Sequence, residues 1–525
     1  MGIYLNPGVE NYKRTLASGM YVDKTMMISE INRFIDMGNN YICVSRPRRF
    51  GKTIASNMLS SYYSKGIDSR ELFSGLKIKS DPSFEEKLNK YNVIKLDLNS
   101  EYQNTEDKAN LIKIITEDVK SEMRQCFSDI DYAEDDTLAR CILKTFTATG
   151  ETFIIIIDEY DVLVREQTDK ELFDKYLSFL NGLFKSDTLR PAISLAYLTG
   201  ILPVVRDKIQ SKLNNFDEYS IMNAYQLSEY IGFTSDEVEN LCKEYNMDFD
   251  ECRRWYDGYH QNGFEIYNPE SVIKSMYRKH YDSYWGKTSS YEAIADRIQQ
   301  NYEGTQDDVI KMLSGESVDV NVTSYLNTMN QFKTKDDLFT YLIHLGYLAY
   351  DIDDMTCHIP NGEVRREWIN AIAAMPDYHV TDQIIKSSKE LLKNTLNGDS
   401  TAVSEALDKT HIHVTSNRSY NNEDGLASAI YLAYIYALNE YTVVKEMTAG
   451  KGYADVVFIP YKEGRPAMII ELKRNDSAGH ALKQILDKKY FESLDGYKGK
   501  LLFVGINYDE KEKTHVCEIN AYEKD

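Results

Sequence analysis

Gly51-Lys52-Thr53 lies between a β-branched run, YICVS (41–45), and a helical stretch, IASNMLSSYYSKG, that ends at Gly66. Strand, loop and helix in that order are the setting a phosphate-binding loop requires. Backbone N–H groups and a helix N-terminus must converge on phosphate oxygens. Lys52 then reaches the β- and γ-phosphates, and the Thr53 hydroxyl holds Mg²⁺. The loop departs from G-x-x-x-x-G-K-[ST] at its first glycine, where Arg46 stands, followed by Pro47, Arg48, Arg49 and Phe50. Alone the tripeptide is weak, because a capped helix start gives the same residues. It gains force from TFIIIIDEYDVLV (152–164), whose continuous apolar run suits a strand buried on both faces. That strand ends in Asp158-Glu159, a pair suited to holding a metal and polarising a water. NVIKLDLN (92–99) and AISLAYLTGI (192–201) add two strands, and strands alternating with helices predict a mostly parallel sheet. Thr199 ends the last of them, either as a γ-phosphate sensor or as a strand cap.

Residues 205–285 read as mostly helical and aromatic-rich, and 286–405 as helical, with DDLFTYLIHLGYLAYD the clearest amphipathic stretch. The segment 334–370 has the pattern of a winged-helix-like module, but its acidic balance gives little support to DNA binding there. After the polar patch HVTSNRSYNNEDG the order becomes helix (421–439), strands (441–447, 454–460, 467–472), helix (476–494) and strand (500–506). Here GYADVVF and AMIIELKR set Asp455 on one strand and Glu471 and Lys473 on the next. Residues two apart on a strand share a face, and a hairpin brings Asp455 beside them. Two carboxylates, with the Leu472 carbonyl as a third oxygen, make a Mg²⁺ site, and the Lys473 ammonium can position a water. Glu423 lies on the apolar stripe Leu426, Ala427, Ile430, Tyr434, Leu438. It is either an inward carboxylate that needs a metal or lysine partner, or a charge favoured by the helix dipole. Gln484 follows on the next helix, as a site contact or as a surface residue. Lys483, Lys488, Lys489, Lys498 and Lys500 can touch phosphates, although a solvated helix face is the commoner meaning of such lysines.

The chain of 525 residues is long enough for two or three domains. Its net charge of −21 argues against a nucleic-acid coat protein. The acidity lies outside the C-terminal segment, since residues 411–525 carry 15 Lys+Arg against 17 Asp+Glu. Seven scattered cysteines without a C-x-x-C pair argue against a zinc ribbon and a disulfide framework. With no secretory signal, and FIIII too short to span a bilayer, a cytoplasmic location is expected. The Tyr, Asn, Ile and Lys bias suggests an AT-rich bacterial genome and says nothing about function.

YVDKT, SRPRRFGKT, IDEYD, LTGILPV, KLNNF, WYDGYHQNGFEIYNP and SYWGKT together resemble the bacterial AAA-ATPase-like proteins that carry a C-terminal PD-(D/E)xK nuclease-type domain. In that family R-P-R-R-F-G-K-[ST] is the usual loop. The resemblance implies ATP bound by Arg48, Arg49, Phe50, Gly51, Lys52, Thr53, Asp158 and Thr199, with Thr53 and Asp158 on Mg²⁺ and Glu159 on water. It implies an α/β fold: an AAA-ATPase-like P-loop parallel sheet with a helical lid (1–285), a helical region (286–405), and an αβββαβ restriction-endonuclease-like domain (406–525). It further implies metal on Asp455, Glu471 and Glu423, and catalysis by Lys473 with Gln484. The tyrosine that follows such glutamines by four residues in recombination exonucleases is replaced by Lys488, with Tyr490 six on, so no exonuclease is inferred. The expected function is an ATP-regulated Mg²⁺-dependent DNA nuclease acting on foreign or mobile DNA, as a homo-oligomer or alone. The alternative is a nucleotide-dependent switch or scaffold whose nuclease fold only binds a partner. Arg206, Arg48 and Arg49 are the candidates for an arginine finger.

Overall fold

A computed structural model describes residues 2–35, 37–166, 168–203, 215–285, 298, 302, 304–325, 332–373, 379–414, 426, 430–449, 452–461, 464–494, 497 and 499–524. The chain divides into two compact units. One holds Met1–Tyr284 with Asp319–Asn361, the other Trp285–Val318 with Gly362–Asp525.

The first unit is built on β1 (Tyr41–Ser45), β2 (Asn92–Asp97), β3 (Phe153–Asp158), β4 (Ile193–Gly200) and β5 (Asp217–Tyr219). Their order across the sheet is β2-β3-β4-β1-β5, and every neighbouring pair is parallel. All residues of β1, β3 and β4 are buried, as continuous apolar strands covered on both faces must be. Helix α1 (Lys52–Tyr63) follows β1, and α2 (Leu111–Cys126), α3 (Leu138–Thr149) and α4 (Lys170–Phe184) pack their apolar stripes into the core around β2–β4. The four strands read from sequence are present. The fifth, β5, falls where the sequence reads as helical.

The rest of this unit contains the helices Ser235–Tyr245, Phe249–Tyr256 and Pro269–Arg278, together with a small antiparallel sheet of Phe233–Thr234, Phe264–Tyr267 and Tyr259–Gln261. Later in sequence come the helix Lys335–Leu345 and the hairpin Ala349–Asp351/Thr356–His358. The hairpin segment is tied into the unit by Tyr259, whose buried hydroxyl donates to the Gly346 carbonyl at 2.5 Å. The Asn361 amide donates to the Asp257 carbonyl at 2.7 Å.

The second unit carries a mixed sheet: β6 (Tyr441–Ala449), β7 (Gly452–Pro460), β8 (Ala467–Arg474), β9 (Gly499–Asp509) and β10 (Thr514–Lys524), in that spatial order. All pairs are antiparallel except β8 with β9. The connection between those two is α5 (Ala478–Asp487), capped by the Ser477 hydroxyl, which accepts from the His480 N–H at 3.1 Å. The three strands, helix and strand read from the sequence are all here. β10 is an addition. Of the predicted helix over 421–439, residues 421–425 and 427–429 lie outside the described residues. Its described end is helical from Ile430 and tightens to a 3₁₀ turn over Ile435–Asn439. No described helix is long and apolar enough to cross a membrane.

Candidate active sites

The phosphate loop leaves β1 at Ser45 and re-enters regular structure at Lys52. It turns through two left-handed residues, Arg49 at φ +71° and Gly51 at φ +93°. Arg46 is fully buried. Its Nη1 donates to the Ser45 and Tyr219 carbonyls, both at 2.8 Å, and so joins the end of β1 to β5. Its Nε and Nη2 have no partner, and burial pulls the guanidinium down to about 10. The residue in the first glycine's place is therefore a strut beneath the loop. Arg48 is exposed. Arg49 donates to the Tyr284 carbonyl at 2.5 Å and lies 3.3 Å from Glu270. Phe50 is buried edge-on against Tyr259, with ring centroids 5.4 Å apart. The side chains of Arg49 and Phe50 are thus engaged by the region after the sheet. Arg206 lies outside the described residues.

Lys52 is buried, its Nζ donates to the Pro47 carbonyl at 3.0 Å, and burial lowers its pKa. Register places Asp158 beside Thr199 on β4 and Asp97 on β2, at the C-terminal ends of the parallel strands, where open α/β sheets gather ligands. Asp158 is 1 % exposed and accepts from the Thr53 hydroxyl and, at 3.1 Å, from Ser56. Burial, with Glu159 beside it, pushes its carboxyl up to about 6. The Thr199 hydroxyl donates to the Val44 carbonyl at 2.9 Å. Glu159 has φ +52° and pairs with Arg165, while its other oxygen lies 3.9 Å from Lys52. Arg165 also reaches Asp161 at 3.1 Å, and Asp161 accepts the Ile201 and Leu202 N–H groups at 3.0 and 2.9 Å. Arg165 escaped the sequence reading, although its spacing of four from Asp161 is that of a helical ion pair.

In the second unit β7 pairs with β8 through Val456–Ile470, so the register runs on to set Asp455 opposite Glu471. Asp455 Oδ2 accepts the Leu472 N–H at 2.6 Å. Glu471 is 1 % exposed. Its Oε1 accepts from Lys473 Nζ at 2.9 Å and from the Gln484 amide, while its Oε2 is buried without a partner. Burial, with Asp455 nearby, raises the Glu471 carboxyl to about 7, against the pull of Lys473 and Lys488. Asp455, Glu471, Lys473 and Gln484 therefore meet. The Gln484 amide also donates to the Tyr490 hydroxyl at 3.0 Å. Tyr490 reaches the site because α5 ends at Asp487 and Lys489 turns left-handed at φ +54°. Glu423 and Lys498 lie outside the described residues. Among the described residues no three His, Cys, Asp or Glu side chains cluster as a ready metal site.

Residues 6–210 match the family model described as predicted AAA-ATPase, and residues 421–518 match that of the PD-(D/E)XK nuclease superfamily. The chain joins an AAA-ATPase-like region to a PD-(D/E)XK nuclease-superfamily region. The AAA-ATPase-like match ends beyond β4, so it takes in the phosphate loop, Asp158-Glu159 and Arg165. The nuclease-superfamily match spans the whole Asp455–Gln484 cluster. A curated relative is the "Uncharacterized protein in vnfD 5'region" of Azotobacter chroococcum mcd 1, 25% identical over 291 residues. The alignment covers 53% of this chain and 52% of that protein, so the chain spans about half the length of the relative it matches. Among solved structures, the Aeropyrum pernix ORC2 protein, in ADPNP-ADP complexes, aligns at 9% identity with a TM-score of 0.29, over 67% of this chain and 92% of that one. AMPPCP-bound DnaA of Aquifex aeolicus aligns at 13% with a TM-score of 0.24, over 62% and 88%.

Proposed function

We propose that the protein is an ATP-binding, ATP-regulated, Mg²⁺-dependent DNA nuclease that acts on foreign or mobile DNA. The observation that carries the reading is the buried, unpartnered Oε2 of Glu471 beside Asp455, with Lys473 and Gln484 on the same carboxylate. A buried carboxylate oxygen without a donor is costly. A divalent cation held by Asp455 and Glu471 would remove that cost and the repulsion between the two acids. When bound, the cation lowers the pKa of a water and neutralises charge on the phosphate. Lys473, on Glu471 at 2.9 Å, would position the attacking water, which enters in line with the leaving oxygen. Gln484 fixes the Glu471 carboxylate, with Tyr490 fixing the amide.

In the first unit a Mg²⁺-nucleotide fits the donors present: the Thr53 and Ser56 hydroxyls already sit on the buried Asp158, and Lys52 would exchange the Pro47 carbonyl and the Glu159 carboxylate 3.9 Å away for phosphate oxygens. Arg48, Arg49 and Phe50 contribute through the loop backbone, and Glu159 polarises water. The near-balanced charge of residues 411–525 suits DNA close to the metal. The test is nicking of supercoiled plasmid with Mg²⁺ or EDTA, with and without ATP. Wild type is expected to nick with Mg²⁺, and Asp455→Ala and Lys473→Ala to lose at least 10²-fold while still binding ATP. Cleavage that persists in both variants excludes the assignment. If wild type binds plasmid under ATP control without cutting it, the scaffold alternative holds.

A further inference from the structure

The ion pairs around Glu159 leave one oxygen out, and it is not on Glu159. Both Glu159 oxygens face cations, one held by Arg165 and the other 3.9 Å from the Lys52 ammonium. The tight pair with Arg165 turns the Glu159 carboxylate toward that guanidinium. Arg165 is itself forked, with Nη2 on Glu159 and Nε on Asp161 at 3.1 Å. The odd oxygen is Asp161 Oδ1, in a residue 1 % exposed, which accepts nothing. Its neighbour Oδ2 takes Arg165 and the two backbone N–H groups of Ile201 and Leu202. The Gly200 backbone packs closely against Oδ1: an added Cβ there would collide with the Asp161 carboxylate and the Tyr160 ring.

We propose that Arg165 is a two-position latch. In the nucleotide-free protein it holds Glu159 closed. With triphosphate bound, Lys52 leaves for the phosphates and the arginine swings wholly onto Asp161. It then uses the vacant Oδ1 to complete a bidentate pair, the preferred geometry of guanidinium with carboxylate. Glu159 is released to orient water. Asp161 also anchors the start of the segment after β4, so the same swing changes the charge on the Ile201–Leu202 anchor. This inference rests on Glu159 being the water-polarising residue. Arg165 is a positioning residue that touches neither water nor phosphate.

The experiment compares steady-state ATP turnover with calorimetric affinity for a non-hydrolysable ATP analogue and Mg²⁺, in the full chain. Arg165→Met is expected to raise kcat at least fivefold with analogue Kd within threefold of wild type. Asp161→Asn keeps the two backbone contacts but removes the arginine's second seat, and is expected to lower kcat at least fivefold with Kd again unchanged. A kcat in Arg165→Met at or below wild type, with Kd retained, overturns the latch. If Arg165→Met does not fold, Arg165→Lys takes its place: a single ammonium stays on the more buried Asp161, so kcat above wild type supports the latch and kcat at or below it does not. Glu159→Gln separates the two levels. If it turns over ATP like wild type, the role of Glu159 fails and the latch with it. If it is inactive while Arg165→Met is not raised, the latch alone fails.

Discussion

Asp158 and Glu471 are buried carboxyls whose folded pKa values, about 6 and about 7, stand above the ordinary 3.8 and 4.5. The folded protein keeps protons there that the unfolded chain gives up. The stability this confers is complete below the ordinary values and is lost as pH rises through the folded ones, a window of roughly pH 4 to 7. For each residue the loss is on the order of 3 kcal/mol. In EDTA and without nucleotide, melting temperature should therefore fall between pH 5 and pH 7.5. Glu471→Gln should flatten that fall, and Mg²⁺ should restore more stability at pH 7.5 than at pH 5. An unchanged slope in the glutamine variant would separate Glu471 from the effect. At this scale the sequence was legible wherever chemistry demands contiguity: Lys52-Thr53, Asp158-Glu159, and Glu471 two residues from Lys473. It was less so for residues that arrive by a change of direction. Tyr490 reaches Gln484 through a left-handed residue past a helix end, which no helical spacing encodes. The arginines at 46 and 49 look alike as letters, yet one is a buried strut and the other leaves the loop sideways.

Among the elements, α5 and β9 decide whether Gln484 can meet Glu471. Gly505 on β9 is the register partner of Glu471. A Cβ at Gly505 would run into the Ala478 carbonyl and crowd Ala481 and Leu482 at 3.1 Å, so the glycine lets the first turns of α5 settle on the strand. Gly505→Ala should lift the helix, cost about 1–3 kcal/mol and draw the Gln484 amide off Glu471. Plasmid nicking should fall at least tenfold while ATP affinity stays unchanged. A variant that melts early but nicks at the wild-type rate would show that the helix position does not matter to the site. The parallel strands of the first unit were readable because strands buried on both faces are continuously apolar. β5 is three residues long, DEY, with nothing to alternate. β10 hides for the opposite reason: its buried positions are His515 and Cys517, while Val516 between them is 51 % exposed. The polar His515 inside and the apolar Val516 outside blur the alternation at the start of the strand.

For the molecule as a whole, the motifs pointed to an ATPase-like and a nuclease-like region, and composition showed that the acidity lies outside the C-terminal segment. It could not foretell the path of the chain, which passes from the first unit to the second, back, and out again. The first unit borrows Asp319–Asn361. Tyr259 is 2 % exposed and uses the Gly346 carbonyl for its hydroxyl, and a Cβ at Gly258 would meet the Pro360 backbone. A fragment ending at Tyr284 strands that phenol and uncovers Gly258. Fragment 1–361 should give more soluble protein and melt several degrees higher than 1–284, as thermal denaturation would show; equal melting would mean the borrowed segment is dispensable. The interleaving also bears on ancestry. A breakpoint after 284 orphans the stretch the first unit borrows, and one after 361 carries off Trp285–Val318 from the second. No single crossover can trade the nuclease-like half for another and leave both halves whole, so descent should preserve the pair as one inherited block.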